Sequence, residues 1–317
     1  MAPSILIVGA TGNTGRALTE TLPTLLKASK TLQDHRVIAL TRSLASPAAQ
    51  QLTTIPGVEV VEKNWKDINT TWLREHSVAR AFIASAVEPV QFAYESGFHV
   101  AAKNAGVKYV VRISTVESNV RPDCEAYYPR AHWAIEAMLG SPEFEGVQWT
   151  SLQPNAFLSF IIHPAVEFAK RHRKTGGQGD QETLRLMVSK DVPVGLVNAD
   201  DVGIFAAHLL AVDDPTPHNK AKYVLNGPED TTGTEIVELV ENEIGGPVKN
   251  VTFEDVSVVT EFFEPELRSD SLVISVEHAM EPAWEGKSKA STTSKEVLEI
   301  AAPKGRLVDL WKQMLEG

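Results

Sequence analysis

Seven residues near the start of the chain restrict its fold more than any others: Gly9-Ala10-Thr11-Gly12-Asn13-Thr14-Gly15. They follow the short β-branched run Ile5 to Val8 and open an amphipathic stretch, Thr14 to Ser29, with Ala17, Leu18, Leu22, Leu25 and Leu26 on its apolar side. Strand, glycine-rich turn and helix in that order make a phosphate-binding element. Gly9 permits the sharp exit from the strand. Gly12 lets main chain approach a pyrophosphate where a Cβ would intrude, and Gly15 lets the helix pack closely on the sheet. Free N–H groups and the positive dipole end of the helix then face the anion. A glycine triplet alone also makes a turn without a ligand; the flanking strand and helix separate the two cases.

Further apolar runs recur at helix-length intervals: Val37 to Leu40, Val58 to Val61, Ala81 to Ala84, Tyr109 to Ile113 and Gln148 to Leu152. Such alternation predicts right-handed crossovers and a parallel sheet covered on both faces, an α/β doubly wound Rossmann fold. After Pro154 the pattern loosens. Strands are expected at Leu184 to Val188 and Tyr223 to Leu225, and helices near Asp201 to Ala211 and Glu235 to Glu243, the latter opened by a Thr232/Glu235 capping box. The chain divides into a dinucleotide-binding Rossmann domain, residues 1–154, and a smaller C-terminal α/β substrate region, residues 155–317, which roofs the crevice and can return segments to the sheet. Glu261 to Glu266, around Phe262 and Phe263, reads as a packing helix or a lid. Lys287 to Thr293 reads as a mobile polar loop before a final helix that Pro303 can start.

Composition narrows the function classes. The 317 residues, 43% of them hydrophobic, suffice for one large core or two fused ones. With 41 acidic against 30 basic residues the net charge is -11, so attraction to phosphate backbones or anionic membranes does not drive binding. A single cysteine, Cys124, leaves no intrachain disulfide or cysteine metal cluster and suits a reducing compartment. Met1 to Ser4 carries no basic charge, Ile5 to Val8 is too short for a signal-peptide core, and no segment reaches the roughly 18 apolar residues of a membrane helix, so a cytoplasmic location is expected. No HExxH, nucleophile elbow, Walker loop or carboxylate pair supports a hydrolase, a kinase or a metal site. The basic run Lys170 to Lys174 reads as a solvated helix end.

The second strand ends in Thr41-Arg42-Ser43, where an NAD enzyme presents an acid to the ribose 2′-hydroxyl. Arg42 offers a planar fork of donors matched to a 2′-phosphate and Ser43 adds a hydroxyl, so NADP(H) is the expected cofactor. Arg16, just after the last glycine, is a further cation on the helix surface. Asn64 and Trp65 after the third strand should approach the adenine, and Ala84, Ser85 and Ala86 after the fourth should pass beside the bridge to the nicotinamide ribose.

The GATGNTG turn, LTRS at the end of the second strand, AGVKYVVRISTV around the fifth, HWAIEAML after it, WTSLQPNAF beyond, DDVG ending at Gly203 and KYVLNGPE from Lys222 together resemble the NmrA-like family. This is an atypical branch of the short-chain dehydrogenase/reductase superfamily, related to isoflavone reductase-like enzymes, and the similarity runs from Ser4 to about Gly246. The resemblance implies either an NADP(H)-dependent reductase or a redox-neutral sensor that regulates transcription. It also implies an acid–base unit: Ser or Thr at the end of the fifth strand, and Tyr with Lys four positions later. The matching residues are Ser114 and Thr115, then Tyr128 with His132, beside Tyr127. Helical spacing puts Tyr128 and His132 on one face, with Pro129 marking the first turn. Histidine in place of lysine can hold the ribose without a permanent charge. That weakens tyrosinate-driven oxidation more than reduction, in which neutral Tyr128 or protonated His132 gives a proton. Catalytic candidates are therefore Tyr128, His132 and Ser114. The turn Pro154-Asn155-Ala156-Phe157 resembles the segment that lines the nicotinamide, with Asn155 on the carboxamide, Phe157 walling the pocket, and Trp133, Phe160 and Met187 as further apolar candidates.

Three functions stay open on sequence grounds. One is an NADPH-dependent reductase of a small hydrophobic or aromatic metabolite, delivering hydride to C=O, C=C or C=N. The second is an NADP(H)-sensing regulator acting on a protein partner, and the third a redox-neutral isomerase or cyclase. A monomer or homodimer without direct nucleic-acid or membrane contact is expected in each case.

Overall fold

The computed structural model describes residues 2–178, 181–260 and 270–316; the Glu261 to Glu266 segment lies outside them. Its main sheet is parallel and runs β3 (Val58–Glu62), β2 (Arg36–Thr41), β1 (Ser4–Val8), β4 (Val78–Ile83), β5 (Tyr109–Ile113), β6 (Gln148–Pro154), β8 (Ala221–Leu225). Strand order reverses between β1 and β4, which opens a crevice at the carboxyl ends of these strands.

Alternation along each strand supplies both faces of the sheet with apolar side chains. Ile5 and Ile7 share one core with Leu18, Leu22 and Leu26 of α1 (Asn13–Ala28), Leu52 of α2 (Pro47–Thr53) and Phe205 and Leu209 of α7 (Ala199–Ala211). Leu6 and Val8 join Leu73 of α3 (Thr70–Glu75) and Phe98 and Ala102 of α4 (Gln91–Ala105) on the other face. Next to α4 lies α5 (Tyr127–Leu139), which has its own small cluster, Ile135, Leu139, Phe144 and Trp149.

A second large core gathers α6 (Leu158–Thr175), α8 (Gly233–Ile244) and the C-terminal α13 (Leu307–Glu316) around Ile161, Leu186, Met187, Ile236 and Trp311. The capping box at α8 forms in full: Thr232 accepts from the Glu235 amide while the Glu235 carboxylate accepts from the Thr232 amide. The rest of the roof comprises α9 (Ser257–Thr260), α10 (Ser271–Ile274), a 3-10 turn over Ser275–Met280, α11 (Glu281–Trp284) and α12 (Lys295–Ala301). After residue 154, the chain returns twice to the sheet layer: β8 extends it beyond β6, and α7 lies along α1.

Several sequence expectations are corrected. The fourth strand begins at Val78 rather than Ala81, because Arg80 inside it is buried with its guanidinium donating to the carbonyls of Leu210, Val212 and Asp213 at 2.9, 2.6 and 3.3 Å. Only Leu184 and Arg185 form β7, paired with β9 (Val251–Thr252), while Leu186 to Val188 sink into the second core. Lys287 to Thr293 is a tied strap: Ser288 and Thr293 are buried, the Ser288 carbonyl accepts from the Gly195 amide, and Asn226 bonds Thr292 and Thr293. The last two helices are α12 and α13, with Pro303 between them. Among the described residues no helix is long and apolar enough to cross a membrane.

Candidate functional site

At the phosphate turn, Gly9 takes φ 84°, and Gly12 is the N-cap of α1 with no side chain capping its first amides. A Cβ on Gly12 would stand 3.2 Å from the Gly9 carbonyl oxygen, and one on Gly15 only 2.0 Å from it. The first turn of α1 is thus an open set of N–H donors at a helix N-terminus, suited to an anion.

From this turn a cleft of about 1110 Å³ runs along the carboxyl ends of the strands, more room than one small ligand needs. Gly9, Thr11, Gly12, Asn13, Thr14, Arg42, Asn64, Ala84, Ser85, Ala86, Ser114, Thr115, Tyr128, His132, Pro154, Asn155 and Phe157 all line it, as do Phe160 and Met187. Four expected residues do not. Gly15 faces the Gly9 backbone and serves packing. Ser43 turns its hydroxyl to the Ala45 amide, Trp133 is exposed on α5, and Arg16 pairs with Asp200 at 2.7 Å and with Glu20.

One end of the cleft is cationic. Arg42 stands exposed there with no ion-pair partner among the described residues. Lys63 lies 5.9 Å over the Trp72 ring, and Lys66 pairs with Glu88 at 2.7 Å. The opposite end is apolar, formed by Phe157, Phe160 and Met187 below and by Val259, Val276, Met280 and Ala283 of the roof. The residues therefore fit a dinucleotide with a phosphate-bearing adenosine end: helix amides without a side-chain cap for the pyrophosphate, and at the end of β2 a guanidinium with no ion-pair partner among the described residues.

At the centre, β5 and α5 meet. Thr115 Oγ1 donates to the Tyr128 hydroxyl at 3.4 Å, and the Tyr128 and His132 rings meet edge to face with centroids 6.1 Å apart. Burial raises the Tyr128 phenol above its ordinary value, keeping it protonated. Ser114, expected beside Tyr128, instead donates to Glu136 Oε1 at 2.9 Å, so its hydrogen is engaged below the cleft floor. Successive side chains of a strand point to opposite sides, and at the end of β5 the residue that faces Tyr128 is Thr115.

Beneath the floor lies a buried charge cluster that sequence reasoning missed. Arg112, fully buried in β5, donates to Glu95 at 2.7 Å and to Ser151 at 2.9 Å, and its Nη2 lies 2.7 Å from His132 Nδ1. Glu136 gathers Ser114, Ser151 and the ammonium of Lys222, the last at 2.7 Å. Burial works against the Glu95 and Glu136 carboxylates, but Arg112 prevails and holds both below the usual range. Burial, then Arg112, pushes His132 down to about 3, so the imidazole is neutral and is no proton donor of the imidazolium kind. The signal for this cluster was present: an arginine inside the apolar strand Tyr109–Ile113, with Glu95 and His99 one turn apart on a neighbouring helix.

Asn155 is also corrected. Its amide nitrogen already contacts Gly195 O, Asn226 Oδ1 and Ser288 O at 2.9 to 3.0 Å, and its oxygen accepts from the Ala156 amide. The side chain pins the strap and has no hydrogen left for a carboxamide.

A model of the NmrA-like family matches residues 1–283. An NAD(P)H azoreductase of Xenophilus azovorans is 26% identical over 247 residues, 78% of this chain and 76% of that protein. An NADPH-dependent quinone oxidoreductase of Escherichia coli, solved with NADPH, superposes with a TM-score of 0.69 at 20% identity, covering 98% of this chain and 99% of that one. NmrA, a negative transcriptional regulator, superposes with a TM-score of 0.68 at 16% identity, covering 100% of this chain and 96% of that one.

Proposed function

The chain belongs to the NmrA-like family, and from that premise we propose that it is an NADPH-dependent reductase of small, apolar aromatic acceptors such as quinones and azo compounds. The observation that carries this reading is one continuous cleft, cationic at one end and apolar at the other, with the Thr115–Tyr128 hydroxyl pair on its floor between them. A redox-inert binding protein has no need of a protonated phenol at that point. The azoreductase and quinone oxidoreductase relatives support the choice of acceptor.

NADPH, when bound, supplies the hydride. The Gly9–Gly15 turn and the α1 amides would hold its pyrophosphate, and Arg42, with Lys63 nearby, the 2′-phosphate. Phe157, Phe160, Met187 and Met280 lay the acceptor flat and exclude water. Tyr128 receives a hydrogen bond from Thr115, which leaves its own hydrogen to point at the acceptor oxygen or nitrogen. As that atom gains negative charge, Tyr128 gives its proton, and Thr115 stabilises the phenolate left behind until solvent restores it. Hydride and proton together make the two-electron reduction.

The test is NADPH oxidation followed at 340 nm with a panel of quinones, azo compounds, enones and imines. Tyr128→Phe should lower kcat by about 10²- to 10⁴-fold, the usual worth of a general acid, with NADPH affinity unchanged; a variant as fast as the parent refutes the assignment. The regulator reading draws on the NmrA likeness and on the absence of a titrating His132. It gains if no acceptor turns over while NADP⁺ and NADPH bind with different affinities. The activity is assigned to the cytoplasm, to a monomer or homodimer that, at a net charge of -11, makes no direct nucleic-acid contact.

A further inference from the structure

Behind the cleft wall, five side chains close a ring. Arg112 Nε donates to Glu95 Oε1 at 2.7 Å, and Ser85 Oγ donates to Glu95 Oε2 at 2.6 Å. Gln91 Nε2 donates to Ser85 Oγ at 2.9 Å and lies 3.3 Å from His132 Nε2. Arg112 Nη2, 2.7 Å from His132 Nδ1, completes the circuit. Gln91, Glu95, Arg112 and His132 are all at least nine-tenths buried, while Ser85 and His132 also line the cleft.

The direction of the hydrogen bonds follows from what each group can do. A guanidinium only donates, so His132 Nδ1 accepts, and a neutral imidazole that accepts at Nδ1 carries its hydrogen at Nε2. Beside that hydrogen, with its nitrogen 3.3 Å from His132 Nε2, stands the side-chain amide of Gln91, whose Oε1 has no partner among the described residues; turned over, the amide accepts from Nε2–H, and in its present orientation it leaves that hydrogen to a ligand. We infer that Arg112, anchored by Glu95, is a positioning residue: it fixes His132 as the Nε2–H tautomer, so that a residue lining the cleft offers an N–H rather than a lone pair to an acceptor oxygen on the bound ligand. That this acceptor is a ribose hydroxyl of NADPH rests on the function proposed above; the tautomer does not. The groups facing the ring of His132 are Arg112 from β5, Gln91, Glu95 and, behind it, His99 from α4, and Tyr128 and Glu136 from α5. Arg112 is the one permanent cation among them. The superfamily's lysine is thus replaced by a histidine with a buried arginine behind it.

Long-range ¹⁵N correlation spectra of the histidine rings, with His132→Gln to assign the signal, read the tautomer directly. The full-length protein should show His132 wholly in the Nε2–H form and unchanged from pH 5 to pH 9. A His132 in the Nδ1–H form, or one titrating in that range, overturns the inference. In the charge-balanced pair Arg112→Met with Glu95→Gln, the signal should become a mixture of tautomers, while burial still holds the imidazole below its free value of about 6.5; an unchanged tautomer there also overturns the inference. Arg112→Lys, which keeps a buried donor, should restore the single form if the paired variant does not fold, and a mixture in it counts against Arg112. Added NADPH should shift the Nε2–H resonance. NADPH that binds without shifting it removes the ligand contact, whereas NADPH that does not bind removes the proposed function and leaves the tautomer result standing.

Discussion

Arg42 is the residue on which we expect cofactor choice to turn, since it lines the cleft without an ion-pair partner among the described residues. Charge-assisted hydrogen bonds contribute about 1.5–3 kcal/mol, so Arg42→Ala should raise the Kd for NADPH about 10- to 100-fold and leave NADH nearly unaffected, as isothermal titration would show. The buried histidines set a second expectation. His132 is held neutral in the fold and burial shifts His99 below its ordinary value, whereas in the unfolded chain both titrate near 6.5, so unfolding takes up protons below that pH. Their contribution is complete above about pH 6.5 and declines as pH falls, by up to about 1.4 kcal/mol per pH unit for each histidine. Glu95 and Glu136, held low, contribute above their ordinary values near 4.3 and lose that contribution on further acidification. The urea midpoint should therefore drop between pH 7 and pH 5, and less steeply in His132→Gln; equal slopes would contradict a neutral His132. At this scale the sequence was only partly legible. Tyr128 and His132 were singled out by the resemblance to the superfamily's Tyr and Lys positions and Arg42 by its charge at the end of β2, and all three line the cleft. Ser114 was chosen over Thr115 because the facing of adjacent side chains depends on where β5 stops bending inward. Arg112 was passed over because one charge in a strand reads as an exposed position until the carboxylates that bury it are known.

Elements were read more surely, because periodicity is a property of many residues at once. All seven main strands, β8 at Tyr223 to Leu225 among them, and α1 followed from runs such as Ile5 to Val8 and from the glycine turn. What escaped was pairing between distant segments. Leu184 to Val188 is apolar enough for a full strand, yet among the described residues it pairs regularly only with the short β9; beyond Arg185 the backbone of Leu186 and Val188 bonds irregularly to Thr252, Glu254 and Asp255 while their side chains enter the second core. The contact of α1 with α7 is another such case. Gly203 sits on the Thr14 carbonyl, and a Cβ there would lie 2.2 Å from that oxygen and 2.9 Å from the Leu18 nitrogen. Backbone cannot yield as a flexible side chain does. Gly203→Ala should destabilise the protein by about 1–3 kcal/mol. It should also weaken NADPH binding although Gly203 lies outside the cleft, since Thr14 belongs to the phosphate turn. Thermal melts with and without NADPH would check both effects.

For the molecule as a whole, the cleft draws its floor from the first 154 residues together with Phe157, Phe160 and Met187 and its roof from Val259, Val276, Met280 and Ala283, and the strap behind Asn155 and Asn226 fastens one to the other. The polar, Ser- and Thr-rich composition of that strap resembles a loose linker, and only the asparagines facing it reveal otherwise. The return of the chain to β8 and α7 carries a consequence for biogenesis. A fragment ending at residue 154 leaves the β6 edge unpaired and uncovers the α1 face that α7 occupies, so it should aggregate on expression. One extended past Leu225 regains both elements and should be the more soluble. During synthesis the nascent N-terminal half must wait for about seventy further residues to leave the ribosome, several seconds at ordinary elongation rates, with a raw sheet edge open to chaperones or to its own neighbours.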